Sequence, residues 1–231
     1  MLKTKKSKII ALSVFFLVQA IYLLMVFITG KEYFSSICLS CIFICLCFQI
    51  SKSYLFMQIG LACTVISDVF LVVIDPMIQL PAMLFFSTTQ ICYFLRLFFE
   101  TESKKEKKIH LISRVILISL VLIITIAVLK GKTDALSLVS MFYYTNLVVN
   151  IVFAFIHFKK SPLLAIGLLL FLLCDTIIGL DIMAQSYLNG NALEAINSLI
   201  SGTNLAWVFY IPAQALISAS LIKFNNKKSS T

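Results

Sequence analysis

A chain of 231 residues that is 61% hydrophobic is too apolar for a soluble globular domain, where about 45–50% of residues are apolar. Mean hydropathy is +1.03, and apolar runs near the roughly 20 residues that cross a bilayer recur from end to end. The net charge of +9 comes from short lysine clusters between those runs, a membrane-topology pattern that gives no reason to expect nucleic acid as a partner.

Eight spans are predicted, at about 9–28, 34–50, 54–74, 82–99, 111–129, 136–158, 163–183 and 204–222. The first follows "KTKKSK" and has no small-x-small site before "TGKEYF", so it reads as an uncleaved signal anchor. The second holds Cys38, Cys41, Cys45 and Cys47 without any histidine, which reads as small residues at a helix interface rather than soft-metal ligands. The third carries Asp68 inside "TVISDVFLVVIDP". An ionised Asp at a bilayer centre costs about 2.5–3.5 kcal/mol, so Asp68 is expected to have a task.

The fourth span supplies Gln90 and Tyr93, and the sixth Tyr143, Tyr144 and Asn146. Asp175 lies in the seventh, and Tyr210 and Gln214 flank Pro212 in the eighth. Arg96 and Arg114 are read as snorkelling to the cytoplasmic surface. His110 and His157 are read as lying at cytoplasmic helix ends, an arrangement that builds no zinc site.

With the N-terminus inside, fourteen loop and tail lysines fall on the cytoplasmic side, against Lys31, Lys130 and Lys132 outside. This asymmetry predicts both termini in the cytoplasm, with anionic lipid headgroups as the counter-charge. Connections are short, so residues 1–231 are expected to form a single membrane domain.

Two motifs recur. "GLACTVISD" from Gly60 and "GLLLFLLCD" from Gly167 both place Gly-Leu eight residues before an Asp, with a small residue (Ser67, Cys174) directly ahead of it. The following spans carry "FFSTTQ" from Phe85 and "FYIPAQ" from Phe209. Two parallel four-helix halves, 1–108 and 109–231, explain the pattern. At 1.5 Å per residue, Asp68 lies roughly 9 Å from the outer end of its span, and Asp175 and Gln90 roughly 12 Å. Gln214 and Asn146 come near 15 Å by the same rise. Polar groups from five helices therefore share one layer. A polar cavity fits them, and so does a hydrogen-bond network that ties the bundle.

Two carboxyl groups in one dry site can divide into a protonated acid and an ionised base, the arrangement used to cleave an ether or acetal. No G-x-S-x-G, intramembrane Ser/His pair or Gly-rich phosphate loop offers another chemistry.

At "SDVFLVV", "FFSTTQICY", "CDTIIG" and "FYIPAQALI" the chain resembles the YhhN-type family of lysoplasmalogenases, eight-span membrane proteins. The resemblance implies hydrolysis of the vinyl ether bond of a lysoplasmalogen to a fatty aldehyde and a glycerophospho-alcohol, without a cofactor. It implies Asp68 and Asp175 as acid and base. Gln90, Tyr93, Tyr210, Gln214 and Asn146 are expected to orient water or substrate. Three departures from the family pattern stand out: Ser67 and Cys174 precede the aspartates, Gln90 stands in place of a His, and Lys31-Glu32 in place of Lys-Pro. The substrate is then a lysophospholipid drawn from the membrane. A small ion-coupled transporter, or a silent relative that binds lysolipid, are the other classes that a repeat with buried aspartates fits. Nothing in the chain sets an oligomeric state.

Overall fold

The computed structural model describes residues 5–29, 52–74, 79–129, 133–187 and 205–221, all of them helices and short connections. Seven helices follow one another: α1 (Lys5–Thr29), α2 (Lys52–Asp68), α3 (Gln79–Glu100), α4 (Lys104–Leu129), α5 (Ala135–Ile156), α6 (Pro162–Tyr187) and α7 (Leu205–Ala219). Five of them (α1, α3, α4, α5 and α6) are long and apolar enough to cross a membrane. Hydrocarbon offers backbone groups no partner, so such runs must close their hydrogen bonds within helices. The chain is an all-α, polytopic membrane protein. The expected span at 34–50, with its four cysteines, lies outside the described residues.

Helix ends follow local chemistry. Pro162 opens α6, where its missing N–H is no loss. Asp134 caps α5 by accepting from the Ser137 backbone N–H at 2.8 Å, and these Ser137 contacts hold its carboxyl below the usual range. Beyond Asp68 the α-helix loosens into a π-turn over Val69–Ile74, the kind of irregularity that concentrates at functional sites.

The central helices pack in a chain of neighbours: α2 on α3, α3 on α5, α5 on α6 and α6 on α7. α1 leans on α7, and α4 on α5. Both outer helices turn most of their apolar surface outward, including Leu17, Ile28, Ile123 and Val128. In a membrane that surface meets lipid, so it needs no protein cover.

Two glycines set the closest approaches. A methyl group on Gly60 would stand 3.0 Å from Tyr93 Cε1 and 3.2 Å from Cys92 Cβ, on α3. On Gly167 it would stand 2.8 Å from Ile217 Cγ1 and 2.9 Å from the Ile217 nitrogen, on α7. Hydroxyls stitch the first of these seams. Thr89 Oγ1 donates to the Gly60 carbonyl at 3.0 Å, and Ser67 Oγ to the Ala82 carbonyl at 2.9 Å.

The arginines do not snorkel. Arg96 is fully buried, donating to Ser220 Oγ at 2.6 Å and the Ser220 carbonyl at 3.0 Å, with Glu100 at 3.6 Å. Arg114 is buried between α4 and α5. The guanidinium finds enough acceptors inside the bundle to make a reach to the surface unnecessary. His110 is likewise interior, stacked on Phe153 at 3.5 Å between ring centroids, rather than at a helix end. His157 does lie at the end of α5, beside Thr101 Oγ1 at 3.3 Å and Glu106 at 3.9 Å.

Candidate active site

Each aspartate receives a tyrosine hydroxyl from another helix. Asp68 ends α2, and its Oδ2 accepts from Tyr210 of α7 at 2.6 Å. Asp175 of α6 accepts from Tyr143 of α5 through its own Oδ2. Neither carboxyl has another hydrogen-bond partner among the described residues. Asp175 lies within Coulombic range of Asp68, and Tyr210 within range of both carboxyls.

Aromatic rings join the two pairs. Phe86 packs on Tyr143 at 5.8 Å and on Phe171 at 6.0 Å, and Phe171 reaches Tyr210 at 5.7 Å. Trp207 meets the edge of Tyr210 at 5.6 Å. The rings flank two carboxyls of unequal burial, Asp68 buried and Asp175 only partly so.

The other expected residues divide into two groups. Gln90 and Asn146 belong to a polar cluster between α3, α4 and α5. Asn146 spends its Oδ1 on Arg114 and its amide on the Phe142 carbonyl at 2.8 Å. Gln90 Oε1 accepts from Asn150 Nδ2 at 3.0 Å, and its main-chain carbonyl accepts from the same nitrogen at 2.9 Å. Tyr93 and Gln214 lie elsewhere in the core. Tyr93 is fully buried with its ring against Gly60, and Gln214 of α7 is buried with neither amide atom hydrogen-bonded among the described residues.

His110, Arg114 and Asn150 complete the polar cluster around Gln90, a grouping that sequence reasoning missed. Helical spacing was the available signal, because Asn150 follows Asn146 by one turn and Arg114 follows His110 by one turn. A shallow groove of about 480 Å³, lined by Leu84, Ile91, Leu122, Leu138 and Phe142, opens between α3, α4 and α5. Its lining is apolar, and neither aspartate takes part in it.

The model of the YhhN family matches residues 31–221, a stretch that contains both aspartates and every residue described around them. No curated protein and no solved structure matches the chain.

Proposed function

Because the chain belongs to the YhhN family, we propose that it is a membrane hydrolase that cleaves the vinyl ether bond of lysoplasmalogens, releasing a fatty aldehyde and a glycerophospho-alcohol. The observation that carries this reading is the pair of carboxyls, Asp68 and Asp175, each steadied by one tyrosine hydroxyl among aromatic rings. A single hydrogen bond fixes each carboxyl in orientation and leaves its second oxygen for chemistry.

One protonated aspartate delivers its proton to the outer carbon of the enol ether, which leaves an oxocarbenium ion on the carbon that bears oxygen. The other, ionised, stabilises that cation and takes a proton from the incoming water. The resulting hemiacetal collapses to aldehyde and alcohol, returning the proton. Tyr143 and Tyr210 hold the carboxyls, and Gln90, Tyr93, Gln214 and Asn146 shape the polar surroundings of substrate and water. No step calls for a cofactor.

The test is aldehyde release by purified protein from a defined lysoplasmenylethanolamine. Asp68→Asn and Asp175→Asn keep shape and much of the hydrogen bonding but cannot pass a proton. Each is expected to lower turnover at least ~100-fold, the scale of a lost general acid or base, with folding and insertion intact. Full activity in either variant would overturn the assignment. Loss of both proteins from the membrane would mark the aspartates as ties between helices instead.

A further inference from the structure

Arg114 is a buried cation with no carboxylate partner among the described residues. The ion pairs among the described residues are Arg96–Glu100, His157–Glu106 and Lys160–Glu102, and none includes it. Its partners are neutral. Nη1 donates to Asn146 Oδ1, Nη2 to Asn150 Oδ1 at 2.6 Å, Nη2 also meets His110 Nε2 at 3.1 Å, and the guanidinium lies 4.3 Å over the Phe94 ring.

A guanidinium only donates, so it dictates the direction of every hydrogen bond around it. The His110 nitrogen that faces it must accept. Asn150 must present its carbonyl oxygen, which forces its NH2 group to the far side. There both the main-chain and the side-chain oxygens of Gln90 accept from it. With Oε1 occupied, the Gln90 amide can turn in one sense only. Its Nε2 is left buried with no partner among the described residues. A buried amide N–H without an acceptor is costly, and where it persists it needs an explanation. Gln214, at the corresponding motif position on α7, makes the contrast, because among the described residues no hydrogen bond holds either end of its amide.

We infer that Arg114 and Asn150 are positioning residues that lock Gln90 as an obligate hydrogen-bond donor, and that the missing partner is an acceptor oxygen of a bound lysolipid. The chemistry asked of the ligand is an oxygen with a lone pair and no need to donate, as on a phosphate or an ether. This deepens the reading above and rests on it for the identity of the lipid. The charge on Arg114 therefore acts at a distance, through one amide, on the polarity of the site.

The experiment is a double-mutant cycle between Asn150→Asp and Gln90→Leu in the full-length protein, reconstituted in lipid nanodiscs. Asp at 150 keeps the shape and pairs with Arg114, but it has no N–H for Gln90, so the amide reverses and turns its oxygen to the ligand. Aldehyde release from lysoplasmenylethanolamine and binding of 1-O-hexadecyl lysophosphatidylethanolamine, whose saturated alkyl ether replaces the vinyl ether and resists hydrolysis, are both measured. Asn150→Asp is expected to weaken kcat/KM and analogue binding roughly 10- to 100-fold, the scale of a buried group left unpaired. In the Gln90→Leu background, where no donor exists, the same substitution is expected to cost nothing further. Arg114→Met, which frees Asn150 to rotate, repeats the cycle should Asn150→Asp fail to fold. Additive losses would make the cluster merely structural and overturn the inference, as would the absence of any analogue binding by the wild type. A wild type that binds the analogue with a non-additive cycle, yet releases no aldehyde, would refute the hydrolase reading and leave this inference standing.

Discussion

Tyr210 shows how much one hydroxyl can decide. It crosses from α7 to take one oxygen of Asp68, while Phe86, at the matching place in α3, carries only a ring. Tyr210→Phe keeps the packing against Phe171 and removes the hydrogen bond. Turnover is expected to fall roughly 10- to 100-fold with little change in Tm, as measured by aldehyde release and thermal melting in detergent. Gln90 allows a second comparison. A histidine there can accept from Asn150 with one ring nitrogen and donate with the other, whereas leucine can do neither. Gln90→His is therefore expected to be at least ~10-fold more active than Gln90→Leu, on the same scale of one buried hydrogen bond. Equal activities would take Gln90 out of the site.

Among the helices, the seams between α2 and α3 and between α6 and α7 bear the tightest contacts. At Gly167 an added Cβ meets the Ile217 nitrogen and, at 3.1 Å, the Ala213 carbonyl, neither of which can move without the helix. At Gly60 it meets the Tyr93 ring and the Cys92 Cβ. Gly167→Ala is expected to destabilise the fold by about 1–3 kcal/mol, the cost of overpacking. Gly60→Ala is expected to cost less, because the Tyr93 ring can give way. Melting temperatures of the two variants check the order.

The five long apolar helices were legible in the sequence because hydropathy and length alone dictate a membrane helix, and the aspartates stood out because a carboxylate is unusual in such a run. The pairing of Tyr143 with Asp175, and of Tyr210 with Asp68, was not, because residues distant in sequence meet only through helix packing. The arginines were misread for a related reason. A long cationic side chain near a span end can reach water, and only the Asn146, Asn150 and Ser220 acceptors nearby show that it need not. The π-turn after Asp68 left no mark in an apolar run whose residues suit either geometry.

Taken whole, the molecule has matched contacts in its two parts. Counted from the recurring motifs, Ile217 takes the place of Tyr93 against its glycine, and Arg96 bonds to Ser220, the residue in its own matching place. We propose a duplicated four-helix unit, 1–108 and 109–231, as the origin of both. On that proposal the halves share one orientation, and the lysine-rich connections are expected on the cytoplasmic side. Single cysteines introduced at Ser103 and Lys160, in a background lacking the native ones, are expected to react with an impermeant maleimide only from the cytoplasm, and one at Thr133 only from outside. Reversed labelling would invert the topology. The chain holds one tryptophan, and its indole lies on the edge of Tyr210, whose hydroxyl bonds Asp68. Its emission thus reports on the aspartate without any added dye. A lipid that displaces the Tyr210 ring changes the colour and intensity of Trp207, and Tyr210→Phe, which keeps the ring but cuts its tie to Asp68, separates the movement of the ring from the loss of the bond.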